Sequence, residues 1–209
     1  MSKQLHLKTH VLEDSIVEDS IRALCTLITE GPVKGFIAGG IGVQSYVPQE
    51  FHRETIDLDF DMAWGGGVAE YRSLLTPVIS ALEREGYTIE FAKMGFTYDL
   101  HVRKDGDSFM IQHRRRSPTN YERLRKNSLE REVSNRRTIS RDDLVYPVLS
   151  PEDLVAHKIA RIIRFRDNFG CHVPNDPVEV LRLEADLFRE AIVSQSSDFD
   201  DEAIAQMRV

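Results

Sequence analysis

The sequence predicts an α+β protein in which a mixed sheet is flanked by helices and followed by a helical C-terminal segment. A glycine pair, Gly39-Gly40, separates a short apolar run from a helix-like stretch, and three aspartates alternate with apolar residues over residues 55–62. Strand-like runs dominate the middle of the chain and helix-like periodicity dominates its last quarter. We expect residues 1–143 to form an α/β core and residues 144–209 to pack on it as a mostly helical segment.

Length and composition set the broad class. The 209 residues are 41% hydrophobic and 29% charged, as in an ordinary globular domain. No apolar run reaches the length of a membrane span, and the N-terminal stretch lacks the apolar core of a signal peptide. Cys25 and Cys171 are too few for a disulfide framework or a cysteine-rich zinc site. We therefore expect a cytoplasmic protein with no membrane association.

The first third of the chain predicts alternating helices and strands. Apolar residues at helical spacing predict a helix over residues 12–27, which Gly31-Pro32 ends and on whose apolar stripe Cys25 is buried. Residues 33–38 predict the first strand, and the glycine pair turns it into a short helix over residues 41–46. A loop then leads to the aspartate strand.

The remainder alternates helix, strands and helix. Periodic apolar residues predict a helix through residues 71–82, and strand-like runs follow at 87–92, 96–103 and 108–113, with Asp105-Gly106 as a hairpin turn. Residues 117–141 predict a loop plus one helix, and residues 145–149 a short strand or extended lead-in. Ser150-Pro151 is a strong helix start, and a second C-terminal helix is expected at about residues 177–193.

The aspartate strand is the first candidate for chemistry. Side chains alternate between the faces of a strand, so Asp57, Asp59 and Asp61 share one face. A divalent cation with oxygen ligands would offset their repulsion, although an edge strand with a solvated acidic face is the alternative. The glycine pair lets backbone approach a ligand closely and directs helix-start N–H groups at phosphate. Together these features predict triphosphate at Gly39 and Gly40, with Mg²⁺ at Asp57 and Asp59.

The stretch FIAGGIGVQSYVPQEFHRETIDLDFD resembles the signature of the nucleotidyltransferase (polymerase-β-like) superfamily. Because Arg53 and Thr55 stand just before the aspartates, the spacing is most similar to the AbiEii-type nucleotidyltransferases, many of which are toxins of toxin–antitoxin systems. LSPEDLVAHKIARIIRFRD, followed by NDPVEVLRL, is similar to the C-terminal part of that family. The resemblance covers residues 33–183.

The resemblance implies a nucleotidyltransferase-like core that uses Mg²⁺, or Mn²⁺ in its place, to move a nucleoside monophosphate from an NTP to a hydroxyl of RNA, such as tRNA, or of protein. An antitoxin protein is the implied partner. The implied catalytic residues are Asp57, Asp59, Asp99, Lys158 and Asp176, of which Asp57, Asp59 and Asp99 bind metal. The implied nucleotide-binding residues are Gly39, Gly40, Arg53, Thr55 and Lys158.

Lys158 and Asp176 each have a plainer alternative. Lys158 falls inside the apolar stripe of its helix, where an unpaired ammonium is costly, so a phosphate or carboxylate is its expected partner. The alternative is a lysine that reaches solvent at the edge of the stripe. Asp176 is equally well placed as an N-cap just before Pro177.

The metal site departs from the superfamily pattern at its third carboxylate. Asp99, on the strand of residues 96–103, is the candidate, because the next strand offers only Gln112 at the equivalent depth. Asp61 is a further acid but lies past the metal. If Asp99 points away, two carboxylates would hold the metal. Ile41-Gly42 also stand where a Ser or Thr hydroxyl would help to bind phosphate.

Charge is distributed unevenly in this chain of net charge −7. Residues 114–141 contain ten Lys or Arg against three Glu, a local balance of +7. We expect this basic stretch to contact an RNA backbone, with Tyr121 available for stacking, while a solvated surface is the alternative. A further alternative is a catalytically inactive protein of the same fold that binds nucleic acid or a protein partner through this basic face. In the plainest case the glycines and aspartates are only structural.

Overall fold

The computed structural model describes residues 8–94, 97–114 and 116–158. Its strands are β1 (Gly35–Ile37), β2 (Asp57–Met62), β3 (Thr88–Met94), β4 (Thr97–Lys104), β5 (Asp107–Arg114), β6 (Arg137–Arg141) and β7 (Leu144–Val148). Its helices are α1 (Ser15–Ile28), α2 (Gly39–Gln44), α3 (Val68–Arg84), α4 (Pro118–Asn120), α5 (Lys126–Asn135) and α6 (residues 151–158). A 3₁₀ turn, Gln49–Phe51, follows α2, and a π-helical turn, Tyr121–Arg125, joins α4 to α5.

The seven strands form one mixed sheet in the order β3-β4-β5-β2-β1-β7-β6. The pairs β1–β7 and β2–β5 are parallel, and the other neighbours are antiparallel. Helices α1 and α3 pack against each other and share one core with the apolar face of the sheet. The predicted α+β class with a mixed, helix-flanked sheet is therefore confirmed.

Strand β2 separates the core from the polar face of the sheet. Leu58, Phe60 and Met62 are at most 3% exposed, whereas the three aspartates that alternate with them are half-buried on the opposite face. This alternation follows from the two-residue period of a strand, because only one set of side chains can enter the core. The predicted common face for the aspartates is confirmed.

Two local predictions hold in detail. Cys25 is buried on α1, and burial raises the pKa of its thiol to about 11, so it is an unreactive core thiol. Asp105 and Gly106 join β4 to β5 with φ angles of 51° and 83°. Two consecutive positive φ angles are characteristic of a type I′ hairpin, which is the turn that an Asp-Gly pair favours.

The prediction for residues 117–141 was wrong in one respect. Helical turns span Pro118 to Asn135, but the chain then forms β6 instead of a loop. The strand lies at the edge of the sheet, and its residues Arg137, Thr138 and Ser140 are exposed. Apolar alternation was therefore missing, because an edge strand with solvated side chains does not need it.

Strand β7 belongs to the stretch that the sequence assigned to the C-terminal segment, yet it pairs with β1 and β6 inside the sheet. The helix start after it is confirmed, since Ser150 Oγ accepts a hydrogen bond of 3.2 Å from Asp153 N. Residues 159–209, which carry the second predicted helix and Asp176, lie outside the described residues. The domain division itself stays a prediction.

Across residues 8–94, 97–114 and 116–158, every helix is too short or too polar to span a bilayer.

Candidate active site

The site begins where β1 gives way to α2. Gly39 has a φ of 65°, a left-handed conformation that side chains rarely adopt. A Cβ atom at this position would lie 2.1 Å from Asp59 Oδ2, so only glycine lets the backbone approach this carboxylate. The strands are joined beside it by the hydrogen bond from Ala38 N to Asp59 O, of 2.9 Å. The glycine turn and the second aspartate are thus in direct contact.

Asp57 is held by Thr55. The Thr55 hydroxyl donates a hydrogen bond of 2.8 Å to Asp57 Oδ1, and the Thr55 backbone is fixed by two hydrogen bonds of 2.8 Å to His10. A Cβ on Gly40 would lie 3.4 Å from Thr55 Oγ1, an ordinary contact distance. Thr55 was expected to bind nucleotide, and the structure shows it orienting Asp57 beside the glycine pair.

Gln112, rather than Asp99, lies directly beside Asp59. The strand register aligns Asp59 of β2 with Gln112 of β5, and Gln112 with Asp99 of β4, so the three side chains form one row on one face. Gln112 Nε2 donates to Asp99 Oδ1 at 3.2 Å, and Asp99 is 2% exposed. Two strand spacings, about 9–10 Å, separate the backbones of Asp59 and Asp99.

The donor set suits a hard cation shared with a substrate. Asp57 and Asp59 offer carboxylate oxygens on one face, and Mg²⁺ is commonly bound by one or two carboxylates together with substrate phosphates. Within the described residues no group of three or more His, Cys, Asp or Glu side chains is close enough to hold a metal. The protein residues therefore fit a cation held by Asp57 and Asp59 plus phosphate oxygens, but not a complete protein cage.

Asp61 belongs to a buried ion cluster. Both of its carboxylate oxygens accept hydrogen bonds from Arg116, and His113 Nε2 lies 3.4 Å from Asp61 Oδ1. Burial alone would raise the pKa of Asp61, but His113 and Arg116 outweigh it and hold that pKa well below its usual range. The carboxylate is thus kept ionised and occupied.

Arg116 was assigned to the RNA-contacting stretch, and the structure corrects this, because the side chain is only 4% exposed. It reaches β2 from the turn that follows β5, a contact across 55 residues of sequence. No local pattern could have revealed it. The neighbouring His113 is fully buried and stacks on Tyr71 with ring centroids 5.1 Å apart, and burial lowers its pKa.

Lys158 lies on a helix that packs close to the glycine turn. A Cβ on Gly42 would lie 3.3 Å from Leu154 Cδ2, so α6 contacts α2 through Leu154. Lys158 is four residues further on, and residues at this spacing share a helix face. The Lys158 side chain is half-buried.

Arg53, the remaining candidate for nucleotide binding, has an exposed side chain. Its backbone carbonyl accepts a hydrogen bond of 2.7 Å from Gln44 Nε2.

The rest of the basic stretch is partly neutralised. Arg131 donates to Asp153 at 2.7 Å, Lys126 pairs with Glu122 at 3.1 Å, and Arg141 pairs with Glu13. Arg136 and Arg137 instead line a groove of about 410 Å³ between α5, β6 and the start of α6. The basic face predicted from the sequence therefore contains fewer uncompensated positive charges than the count of Lys and Arg suggested.

The mixed sheet flanked by helices matches a nucleotidyltransferase-like fold. The structure is similar to that of an antigenic nucleotidyltransferase-like protein from Paracoccidioides brasiliensis, with a TM-score of 0.55 and 14% identity over 96% of this chain and 89% of that chain. The antibiotic-resistance factor ANT(2'')-Ia gives a TM-score of 0.45 and 12% identity over 87% of this chain and 91% of that chain. No family model and no curated protein matches the sequence. The similarity to the Paracoccidioides brasiliensis protein shows the fold alone, and the AbiEii-type assignment stays a prediction.

Proposed function

We propose that the protein is a Mg²⁺-dependent nucleotidyltransferase that moves a nucleoside monophosphate from an NTP to an acceptor hydroxyl. The observation that carries this proposal is the close approach of Gly39 to Asp59, which brings together a backbone turn that can hold phosphate and a carboxylate that can hold a cation. A purely structural role would not require a left-handed glycine packed on a half-buried aspartate. The nucleotidyltransferase-like fold supports the same activity.

In this proposal each site residue has a separate role. The backbone of Gly39 and Gly40 holds the triphosphate, Asp57 and Asp59 bind the cation, and Thr55 fixes the orientation of Asp57. Lys158 neutralises phosphate charge from the adjoining helix. A bound Mg²⁺ supplies charge neutralisation on the phosphates and favours ionisation of the acceptor hydroxyl.

The transfer balances as a single displacement. The acceptor oxygen forms a bond to the α-phosphorus while the bond from that phosphorus to the bridging oxygen of the β-phosphate breaks. The acceptor proton passes to a carboxylate of the site, and pyrophosphate leaves with the electron pair of the broken bond. Asp99 acts at a distance, because its hydrogen bond to the Gln112 amide fixes the side chain that lies next to Asp59.

The proposed acceptor is RNA, with tRNA as the first candidate, and a protein hydroxyl is the other choice. The AbiEii-like sequence pattern and the arginine groove support RNA. The same pattern supports a toxin role, in which an antitoxin protein restrains the enzyme.

The experiment is a transfer assay with each labelled NTP, Mg²⁺ and total tRNA. Wild type is compared with Asp57→Asn/Asp59→Asn, and Asp142→Asn/Asp143→Asn serves as a matched control that removes two exposed turn carboxylates. We expect label on RNA with wild type and the control, and none with the site variant. Equal labelling by the site variant would refute the proposal.

A second function is favoured by one specific observation, the glutamine at the position beside Asp59. A protein of this fold with only two carboxylates could bind Mg²⁺–NTP or RNA without transferring a nucleotide. Isothermal titration with Mg²⁺ and a non-hydrolysable NTP separates the two functions. Nucleotide binding that depends on Asp57 and Asp59, with no transfer to any RNA or protein, would favour the binding role.

A further inference from the structure

The groove between α5, β6 and the start of α6 contains charges that the proposed transfer reaction does not use. Three guanidinium groups, of Arg131, Arg136 and Arg137, face two carboxylates, of Glu152 and Asp153. One pair is already satisfied, because Arg131 donates to Asp153 at 2.7 Å. The remaining arginines and Glu152 therefore decide what the groove can bind.

Arg136 and Arg137 have no carboxylate within ion-pair distance in the part of the chain that the structure describes. Arg136 donates one hydrogen bond of 2.7 Å to the backbone carbonyl of Val133, at the end of α5. Its side chain is half-buried, and burial lowers its pKa. A partly buried guanidinium without an acid is costly, and a bound anion would offset that cost.

The groove opens at the same end of the sheet as the candidate active site. The register aligns Arg137 with Val148, Val148 with Ile37, and Ile37 with Phe60, so one row crosses β6, β7, β1 and β2. Asp59 is the next residue along β2. Three strand spacings, about 14 Å, separate the β6 and β2 ends of this row. Arg137 therefore shares the face of Phe60, opposite to that of Asp59, and an anion at Arg137 lies at the same end of the sheet as the glycine turn but three strands away from β2.

An extended polyanion is the ligand that can occupy both places at once. A free NTP held at Gly39 and Asp59 has its phosphates at that point, whereas an RNA strand carries further phosphates away from its reacting hydroxyl. Arginine suits phosphate because its planar fork donates two hydrogen bonds to one phosphate group.

We propose that this groove, through Arg136 and Arg137, binds a backbone phosphate of the RNA acceptor while the reacting hydroxyl lies at Asp57 and Asp59. The inference rests on the proposed transferase function for the identity of the bound RNA. Glu152 opposes binding, because its carboxylate lines the same groove and has the charge of the ligand. Substitutions of Arg137 and of Glu152 are therefore expected to change RNA affinity in opposite directions.

The test measures equilibrium binding of a fluorescein-labelled oligouridylate and of labelled total tRNA to the full chain, without NTP, between about 50 and 200 mM salt. Arg137→Gln is expected to weaken binding about threefold and to reduce the salt slope by about 0.7. Glu152→Gln is expected to strengthen binding. Arg84→Gln is the matched control, because Arg84 is an exposed arginine of α3, which packs at the β3 margin of the sheet, opposite β6.

Opposite shifts for Arg137→Gln and Glu152→Gln, with no shift for Arg84→Gln, would support the groove as an RNA phosphate site. Unchanged RNA affinity in both groove variants would overturn it, as would absence of RNA binding by wild type. A loss of Mg²⁺–NTP affinity in Arg137→Gln, with RNA affinity intact, would instead assign the groove to nucleotide. Because RNA binding is measured without NTP, opposite shifts would stand even if transfer failed.

Discussion

Replacing Gly39 with alanine tests the link between the glycine turn and the aspartate strand. Alanine at a φ of 65° costs about 1–2 kcal/mol in backbone strain. Its Cβ would also lie 2.1 Å from Asp59 Oδ2 and 2.8 Å from Asp59 Cβ, so Asp59 must leave its rotamer at a cost of about 0.5–1.5 kcal/mol. We expect a total loss of about 2–3 kcal/mol in the free energy of unfolding, together with displacement of the Asp59 carboxylate.

The assay combines thermal denaturation with titration of Mg²⁺ and a non-hydrolysable NTP. A loss of about 2–3 kcal/mol in a chain of this length lowers Tm by roughly 4–12 °C. Gly40→Ala is the matched control. Its Cβ meets Thr55 Oγ1 at 3.4 Å and its φ is not positive, so alanine should leave Tm unchanged or raise it. Nucleotide affinity should fall strongly for Gly39→Ala and little for Gly40→Ala.

Equal Tm values for the two alanine variants would refute the reasoning on strain. A Gly39→Ala variant that is destabilised but binds Mg²⁺–NTP as tightly as wild type would refute the reasoning on the site, because Asp59 would then not need its observed position.

Two further predictions concern the row of polar residues and the buried ion cluster. Without metal, Gln112→Asp should lower Tm, because Asp99 loses its hydrogen-bond donor and gains a like charge beside it. Mg²⁺ should then raise the Tm of this variant more than it raises the Tm of wild type. Equal responses of the two proteins to Mg²⁺ would count against a cation beside Asp59. The pKa of Asp61 is lowered in the folded state, so the stability that Asp61 contributes is present above the ordinary value of 3.8 and is lost as pH falls below it. Burial lowers the pKa of His113 from 6.5, so the folded state also loses stability as pH falls below about 6.5. In urea unfolding across pH, Asp61→Asn should have a shallower dependence below about pH 4 than wild type, because Glu13, Asp107 and Asp143 also have lowered pKa values, and should keep the dependence near pH 6.5. An unchanged acid limb would contradict the assigned role of Asp61.

The part of the site that lies within one short stretch of sequence could be predicted from it. Strand alternation fixes which face Asp57 and Asp59 occupy, and the glycine pair marks a turn that other residues would strain. Both features depend on local backbone geometry, so spacing alone reveals them. The same holds for Asp105-Gly106, whose turn conformation is set by the residues themselves.

Contacts between distant strands could not be predicted in this way. The pairing of Arg116 with Asp61 and the row of Asp59, Gln112 and Asp99 depend on strand order, which the sequence pattern leaves open. Strand β6 was missed for a related reason, because its solvated side chains carry no apolar period. A count of charges in one stretch of sequence also does not reveal which of them are paired, because Arg131 and Arg141 have acidic partners far away in sequence.

Strand β1, which leads into the glycine turn, is paired on both sides only after β7 has been synthesised. Ile37 of β1 pairs on one side with Phe60 and on the other with Val148, and Leu149 N donates a hydrogen bond of 2.9 Å to Ile37 O. A nascent chain that has not yet reached residue 144 therefore has β1 as an open edge, directly before the glycine turn. The glycine turn therefore acquires its second supporting strand only when the segment that leads to Lys158 has been synthesised.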